Sequence, residues 1–439
     1  MSTIFALATA PGRAGVAVLR LSGPEAGTAL AVLAGSLPQS RHAQRARFRD
    51  PASGEIIDDG LALFFEAPRS FTGENVAELH VHGSRAVISA LISALARLPG
   101  LRLAEPGEFT RRAFENGKLD LTAAEGLADL VAAETAAQRR QAQRQLAGEL
   151  GRLYEAWRQR LLHALARVEA EIDFPEEGLP HHIWRQMRTD TQYMVDEMIH
   201  HLADDRGERL REGVAVAIIG PPNAGKSSLL NALARRDVAI TSAMAGTTRD
   251  VIEVALDLAG YPVVLADTAG LRASTDAVEV EGVRRARARA AAADLSLLVV
   301  DAGKPEEVAN LELDRANMVV IANKIDLGSD PDWADRLGMG SALRLSVISG
   351  EGMPELLSRL EAEIARRFAP GHTPLITRAR HREALWDCVA ALKGCQIAAL
   401  PELACEDLRV ATRCLGRITG RVDVEDMLDL VFSEFCIGK

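Results

Sequence analysis

The stretch VAVAIIGPPNAGKSSLLNALARR, residues 214–236, decides the fold of the central part of this chain. An apolar run typical of a buried strand leads into GPPNAGKS at 220–227, which matches the G-x-x-x-x-G-K-S pattern of a P-loop, and a helical pattern follows. The two glycines let backbone N–H groups turn inward, and the helix N-terminus adds partial positive charge for a phosphate. We expect Lys226 to reach the β- and γ-phosphates of a nucleotide and the Ser227 hydroxyl to bind Mg²⁺.

Two further motifs follow in the order that a guanine-nucleotide site requires. DTAG at 267–270 ends the next predicted strand, where its aspartate can hold Mg²⁺ through water and its glycine N–H can contact the γ-phosphate. NKID at 323–326 follows another apolar strand, and the Asp326 carboxylate can accept two hydrogen bonds from guanine that adenine cannot offer. Three motifs in this order predict a GTP site within 220–348.

The residue after DTAG departs from a common pattern. Many GTPases have a glutamine there to orient the attacking water, whereas this chain has Leu271. Hydrolysis therefore needs another water-orienting group and another source of positive charge. TSAMAGTTRD at 241–250 contributes backbone carbonyls near the phosphates and offers Thr248 as a second Mg²⁺ ligand.

The strand and helix patterns divide the chain into four segments. Strands alternate with helices around the P-loop, which predicts a Ras-like α/β domain with a mostly parallel sheet covered on both faces. This domain interrupts an all-α helical domain, and an α+β domain precedes both. The predicted segments are 1–118 for the N-terminal domain, 119–210 and 373–439 for the two parts of the helical domain, and 211–372 for the G domain.

The helical segments contain local signals of their own. Apolar residues from Leu146 to Ile172 recur at steps of three and four, which predicts one stripe on a single helix. We expect DFPEE at 173–177 to end that helix, the charged stretch DDRGERLREG at 204–213 to be a linker, and Asp423 to cap the final helix.

Composition limits the possible partners and locations. The net charge is −10 over 439 residues, so the chain does not bind nucleic acid through an overall basic surface. No apolar run approaches the roughly 18 residues of a membrane span, and the start of the chain does not have the pattern of a secretory signal. We expect a cytoplasmic protein with reduced thiols, because no C-x-x-C pair occurs among Cys388, Cys395, Cys405, Cys414 and Cys436.

Several stretches resemble one family, the bacterial and organellar tRNA-modification GTPases called MnmE or TrmE. The stretches are PGRAGVAVLRLSGP at 11–24, SFTGENVAELHVHG at 70–83, EPGEFTRRAFENGKLDL at 105–121, DFPEE at 173–177 and FCIGK at 435–439. They cover all the predicted domains, whereas the G-domain motifs alone are shared with many GTPases. The whole chain is therefore similar to members of this family.

The resemblance implies a one-carbon donor in the N-terminal domain. The donor is 5-formyl- or 5,10-methylene-tetrahydrofolate, and the positions that match the family's contacts are Arg20, Glu78, Lys118 and Lys439. Arginine and lysine suit the glutamate tail of folate, and Glu78 could accept hydrogen bonds from its pterin ring. The same domain is expected to form a homodimer. Cys436 has either a chemical role near this site or a packing role.

The resemblance also supplies a substitute for the missing glutamine. It implies a K⁺ ion where an arginine finger would lie, with Asn223 from the P-loop as one ligand and Ser242, Met244 and Thr247 as the others. Glu279 matches the glutamate that positions water. The expected catalytic residues are therefore Glu279, Asp267 and Lys226, and Ser227 and Thr248 are the expected Mg²⁺ ligands.

The predicted nucleotide contacts lie in five short segments. They are Gly220, Asn223, Ala224, Gly225, Lys226, Ser227, Ser228, Ser242, Thr247, Thr248, Asp267, Thr268, Ala269, Gly270, Asn323, Lys324, Asp326, Ser346, Val347 and Ile348. Two positions depart from the family pattern, since Ser346-Val347 stands where Ser-Ala is usual and Ser242 stands where threonine is common.

The resulting hypothesis is a K⁺-stimulated GTPase of tRNA modification. With an MnmG- or GidA-type flavoprotein, in a heterotetramer, it would add an aminomethyl or carboxymethylaminomethyl group to carbon 5 of the wobble uridine, and FAD would be bound only by that partner. The alternative is a GTP-switched ribosome-assembly factor, which usually carries a basic RNA-binding module. A dynamin-like membrane remodeller would need an amphipathic or apolar membrane segment, and the sequence has none that we can identify.

Overall fold

The computed structural model describes most of the chain. The described residues are 2–173, 182–235, 253–267, 293–308, 317–328, 333–336, 339–369, 371, 373–422, 425–433, 435 and 438. They form two compact units, and the units are made of Met1–Ala128, Arg144–Val195 and Ala384–Lys439 in the first and of Asp129–Gln143 and Asp196–Glu383 in the second.

The described strands occur in two groups along the chain, with six consecutive helices between the groups. In chain order they are β1 Thr3–Leu7, β2 Ala14–Ser22, α1 Ala26–Ala34, β3 Gln44–Arg49, β4 Ile56–Phe65, β5 Val76–Gly83, α2 Arg85–Ala96, β6 Leu101–Leu103, α3 Glu108–Glu115, α4 Leu121–Ala132, α5 Ala136–Leu146, α6 Glu149–Asp173, α7 His182–Leu202, α8 Arg206–Glu212, β7 Val214–Ile219, α9 Lys226–Ala234, β8 Glu253–Leu258, β9 Tyr261–Asp267, β10 Leu295–Asp301, β11 Met318–Asn323, α10 Trp333–Arg336, β12 Leu343–Arg344, α11 Met353–Phe368, α12 Ala379–Ile397, α13 Pro401–Thr419 and α14 Glu425–Ser433.

A six-stranded sheet forms the centre of the N-terminal domain. Its strand order is β3-β4-β5-β2-β1-β6, and its strand pairs are antiparallel apart from β1 with β6. Alternate residues of β2 and β5, such as Leu19 and Leu79, are buried together with Leu30 of α1 and Leu91 of α2. Since strand side chains alternate between faces, the residues between them point to the other side of the sheet. This α+β arrangement confirms the predicted class.

Long helices make up the rest of the first unit. The predicted stripe lies on α6, where Leu150, Trp157, Leu161 and Val168 are buried, and α6 packs along α13. The stripe on α6 does not include Leu146, because Leu146 is the last residue of α5. Gly148, with a left-handed φ of 78°, lies between the two helices, and α6 begins directly after it. The prediction of one continuous helix was wrong at that point.

The second unit contains the predicted α/β domain. Its sheet has the order β12-β11-β10-β7-β9-β8, and only the edge strand β8 pairs antiparallel with its neighbour. Two apolar clusters lie against β10, one containing Leu297 and Val299 and the other Leu298 and Val300. Both faces of the sheet are therefore covered, as the unbroken apolar strands predicted.

The structure corrects the prediction that residues 204–213 form a linker. Residues 206–212 form α8, in which Leu210 is 3% exposed and belongs to the core of the second unit. Glu208 makes a 2.6 Å ion pair with Arg382, and a Cβ on Gly207 would collide with the carbonyl of Ile376. The many charges suggested a solvated linker, but they have partners within the unit.

Helix α5 also packs in the second unit. The Ala137 N–H donates to the Gly260 carbonyl in the turn between β8 and β9 at 2.8 Å, and Ala137 lies in the core. Asp129, at the end of α4, pairs with Arg211 at 3.1 Å and with Arg378 at 2.8 Å. Among the described residues, no helix is long and apolar enough to cross a membrane.

Candidate functional site

The carboxyl ends of four strands meet at one edge of the second sheet. β7 ends at Ile219 and leads into the P-loop, and β9 ends at Asp267, whose backbone is paired with Ile218. β10 and β11 end side by side, with Asp301 opposite Asn323. Ligands of open α/β sheets bind outside this edge. The three predicted motifs therefore begin where a nucleotide can bind.

Two glycines give the P-loop its curvature. Gly220 and Gly225 have φ values of 144° and 103°, which side chains rarely allow. A Cβ on Gly220 would collide with the carbonyl of Val299, and one on Gly225 would collide with the side-chain nitrogen of Asn323. Both conformation and space therefore require glycine, which explains the spacing of the motif.

Lys226 begins α9 and extends back over the P-loop. Its Nζ donates hydrogen bonds to the carbonyl oxygens of Gly220 at 2.9 Å and Pro221 at 2.7 Å. The ammonium is thus held over the loop whose N–H groups a phosphate would use. Positive charge at a helix N-terminus favours a phosphate at this place.

The remaining P-loop residues differ in exposure. Ala224 is fully buried, whereas Asn223 in the loop and Ser227 and Ser228 at the start of α9 are exposed. Asn223 has a φ of 61°, an uncommon value that asparagine adopts more readily than most residues. Its side chain and the Ser227 hydroxyl are accessible to ligands.

A buried amide joins the phosphate loop, which is the P-loop at 220–227, to the base loop, which is the segment 346–351 that contains the last three predicted nucleotide contacts. Asn323 is 2% exposed, and its Nδ2 donates to the carbonyl of Ala224 at 2.8 Å. Its Oδ1 accepts the N–H of Val347 at 3.3 Å. The sequence motif predicted Asn323 as a nucleotide contact, and the structure shows that its amide connects the two loops.

Asp301 is a site residue that the motifs did not indicate. Lys324, in a left-handed conformation with a φ of 64°, makes a 2.7 Å ion pair with it. Burial opposes ionisation of Asp301, but Lys324 and the N–H of Gly303 outweigh burial, so the pKa of the carboxyl lies below its usual range. In the sequence, the position of Asp301 at the end of an apolar strand was the signal that could have indicated a site residue.

The base loop is fixed by its own hydrogen bonds. Ser346 is fully buried, and its Oγ accepts the N–H of Ser349 at 3.2 Å while its N–H donates to the Glu351 carbonyl at 3.0 Å. Asp326 and Ile348 are exposed, the latter by 87%. The Asp326 carboxylate is therefore accessible to a base at the surface.

Other predicted site residues lie outside the described residues. They are Ser242, Met244, Thr247, Thr248, Thr268, Ala269, Gly270, Glu279, Cys436 and Lys439. Asp267 is placed by its backbone at the end of β9.

Two of the predicted folate contacts meet on the sheet of the first unit. Arg20 and Glu78 are cross-strand partners, and Arg20 Nε donates to Glu78 Oε1 at 2.9 Å. The Arg20 guanidinium lies 5.8 Å from the centre of the Phe71 ring, and His80 Nε2 lies 3.1 Å from Glu78 Oε2. An arginine, a carboxylate and an aromatic ring are thus adjacent on one partly exposed face.

The other two predicted folate contacts are placed less completely. Lys118 is exposed, and its Cε would lie 3.3 Å from a Cβ built on Gly73. The chain reaches the same sheet again near its C-terminus, because a Cβ on Gly438 would collide with the carbonyl of Leu7 at the end of β1. The residue before Lys439 therefore contacts the strand that pairs with the Arg20 strand.

A buried ion network beside this face was missed by sequence reasoning. Arg112 pairs with Glu74 and with Glu108, each at 3.0 Å, and all three side chains are at most 14% exposed. Burial opposes ionisation of Glu108, but Arg102 and Arg112 outweigh burial and lower its pKa. The network connects the segment before β5 to α3. The charged residues were visible in the sequence, but the pair of Arg112 with Glu74 joins positions 38 apart.

Comparison with known proteins gives matches over the whole chain. A family model described as "GTP-binding protein TrmE N-terminus" matches residues 3–118, and one described as "MnmE helical domain" matches residues 121–436. A protein of Parvibaculum lavamentivorans named "tRNA modification GTPase MnmE" is 56% identical over 446 residues, covering 100% of both chains. A Rhodospirillum rubrum protein of the same name is 55% identical over 456 residues, again covering 100% of both.

A solved structure of the G domain of the T. maritima FeoB iron transporter is also similar. It is 28% identical, and the match covers 35% of this chain and 98% of that one at a TM-score of 0.27, which is too low to support a conclusion. The two family models and the full-length relatives show that the chain belongs to the MnmE family of tRNA modification GTPases.

Proposed function

We propose that this chain binds and hydrolyses GTP as a step in tRNA modification. The position of Asn323 carries the proposal, because its buried amide holds the phosphate loop at Ala224 against the base loop at Val347. Both halves of a nucleotide site are therefore fixed relative to each other. The test is titration with fluorescent GTP and ATP analogues. We expect tight binding of the guanine nucleotide only, and equal binding of both would refute the assignment.

In this proposal Mg²⁺ is held by Ser227 and Thr248. The exposed position of Ser227 at the first turn of α9 is compatible with this role. Bound there, the ion would neutralise charge on the transferred phosphoryl group. Lys226 contributes a fixed ammonium over the P-loop, and Asp267, the last residue of β9, would contribute a carboxylate.

We further propose that K⁺ stimulates hydrolysis. The exposed Asn223 at the P-loop would be one ligand, the others would be Ser242, Met244 and Thr247, and Glu279 would orient the attacking water. Turnover should be well above its Na⁺ level in K⁺, and equal turnover in the two salts would refute the idea. Glu279→Ala should reduce turnover strongly while GTP binding persists, because the glutamate acts on water.

The N-terminal domain is proposed to bind a 5-formyl- or 5,10-methylene-tetrahydrofolate. The adjacent Arg20 and Glu78 support this, since a partly exposed carboxylate held in place by an arginine suits the N–H groups of a pterin ring. Lys118 and Lys439 would add charge, and Cys436 would lie close by. Calorimetry with 5-formyltetrahydrofolate should show binding that weakens in Arg20→Ala and after removal of the last four residues. No heat with the intact chain would remove the claim.

The wider proposal is cytoplasmic wobble-uridine modification by a homodimer. An MnmG- or GidA-type flavoprotein would bind it in a heterotetramer and supply FAD, and an aminomethyl or carboxymethylaminomethyl group would be added at carbon 5. The full-length relatives are named tRNA modification GTPases, so we do not propose ribosome assembly. Nucleoside analysis of tRNA from cells lacking the protein tests the proposal, because unchanged wobble uridines would refute it.

GTP hydrolysis is proposed to gate the modification complex without acting on the base. The nucleotide residues and the proposed folate residues lie in different compact units. Protein carrying Glu279→Ala should therefore bind folate and the flavoprotein but fail to complete modification. Full modification by a verified hydrolysis-deficient variant would refute the gating idea.

A further inference from the structure

Three alternate residues of β5 point to the face that carries the Arg20–Glu78 pair. They are Glu78, His80 and His82. Directly across from His80 lie Val18 on β2 and Leu61 on β4. Apolar side chains therefore flank the imidazole across the sheet, and its polar contact runs along its own strand.

That contact is with the Glu78 carboxylate. His80 Nε2 lies 3.1 Å from Glu78 Oε2, while Arg20 Nε donates to Glu78 Oε1 at 2.9 Å. An ionised carboxylate only accepts hydrogen bonds, so Nε2 carries the proton that it donates. The Glu78 side chain is 15% exposed. Each oxygen of a largely buried carboxylate thus has its own donor, and the two donors together fix its orientation.

His82 has the same residue type on the same strand but a different partner. Its Nδ1 lies 2.9 Å from Asp58 Oδ1, and its side chain is 70% exposed. It therefore makes a surface contact that does not involve Glu78. A change at His82 is a matched control for a change at His80.

We infer that His80 is a positioning residue of the one-carbon site, acting by holding Glu78 in the orientation that accepts hydrogen bonds from a pterin ring. This inference rests on the proposed folate function. His80 already holds the Glu78 carboxylate in the free protein. The carboxylate therefore does not have to be ordered when the ligand binds. Without His80, the carboxylate can turn about its side-chain bonds, and binding must include the cost of ordering it.

The test is calorimetry of 5-formyltetrahydrofolate with the full-length chain. We expect His80→Leu to raise the Kd by up to about tenfold, because the Glu78 side chain must then be ordered when the ligand binds. His80→Gln, which keeps a donor, should recover most of that loss, and His82→Leu should bind like the unmodified chain. Thermal denaturation of each variant checks that the domain remains folded.

A double-mutant cycle separates positioning from a general structural role. If His80 acts through Glu78, then His80→Leu should cause no further loss in a Glu78→Gln background. An equal loss in both backgrounds, or wild-type affinity in His80→Leu, would overturn the inference while the folate proposal stands. Absence of binding by the unmodified chain would overturn the folate proposal and this inference with it.

Discussion

Replacing Asn323 with alanine tests the connection between the two nucleotide-binding loops. The change removes a 2.8 Å hydrogen bond to the Ala224 carbonyl and a 3.3 Å hydrogen bond from the Val347 N–H. Each bond contributes about 1 kcal/mol net, and the buried Ala224 carbonyl left without that donor adds about 1 kcal/mol more. The total is about 3 kcal/mol. If the loops must be ordered before GTP binds, the Kd should rise by about 100-fold.

The assay is a fluorescence titration with a labelled GTP analogue, combined with chemical denaturation. Asn231→Ala is the control, because Asn231 is an exposed asparagine on α9. It should change neither binding nor stability. The reasoning fails if Asn323→Ala binds GTP as tightly as the unmodified chain, or if the control weakens binding equally.

Three further predictions concern single positions. Asp326→Asn should weaken GTP by about 1,000-fold or more and favour xanthosine triphosphate, because the exposed carboxylate reads guanine N–H groups; competition binding that still prefers GTP would contradict it. Gly225→Ala should weaken GTP at least tenfold, because its Cβ collides with the Asn323 amide at a φ of 103°, whereas Gly303→Ala, at a position with ordinary contacts, should not. Burial lowers the pKa of His201 to about 4, with Asp204 opposing and His381 adding to the effect, so its neutral form stabilises the fold above pH 6.5 and this contribution is lost as the pH falls toward 4. Denaturation at pH 7.5 and 5 should differ by about 2 kcal/mol more in the unmodified chain than in His201→Gln, while His163→Gln should keep the full difference.

The sequence predicted the nucleotide-binding edge of the second sheet well, because the motifs that mark this edge are local in the chain. A P-loop needs glycine where the backbone approaches Val299, and the strand before it is apolar since both of its faces are buried. Residues 323–326 were equally recognisable. What the motif did not indicate is that the Asn323 amide connects the two loops, because that depends on the distance between chain segments 99 positions apart.

Other features depended on partners that a local pattern does not reveal. Asp301 carries no motif, and only the fold places it beside Lys324. The charges of 204–213 suggested a linker because their partners, such as Arg382, lie far along the chain. The family resemblance placed Arg20 and Glu78 in one site but did not predict that they pair with each other. The contact of His80 with the same carboxylate follows from strand alternation once the strand is known.

The packing of α5 has a practical consequence for anyone who wishes to produce the nucleotide-binding part alone. A fragment cut at 211–372 would retain every GTP motif and still lack Ala137 and Asp129. Its Gly260 carbonyl would lose the N–H it accepts, and Arg211 of α8 would lose its ion pair with Asp129. A fragment that keeps these contacts would join residues 129–143 to residues 196–383 through an artificial linker. Nucleotide affinities measured on the 211–372 fragment would therefore describe a domain that lacks the packing of α5.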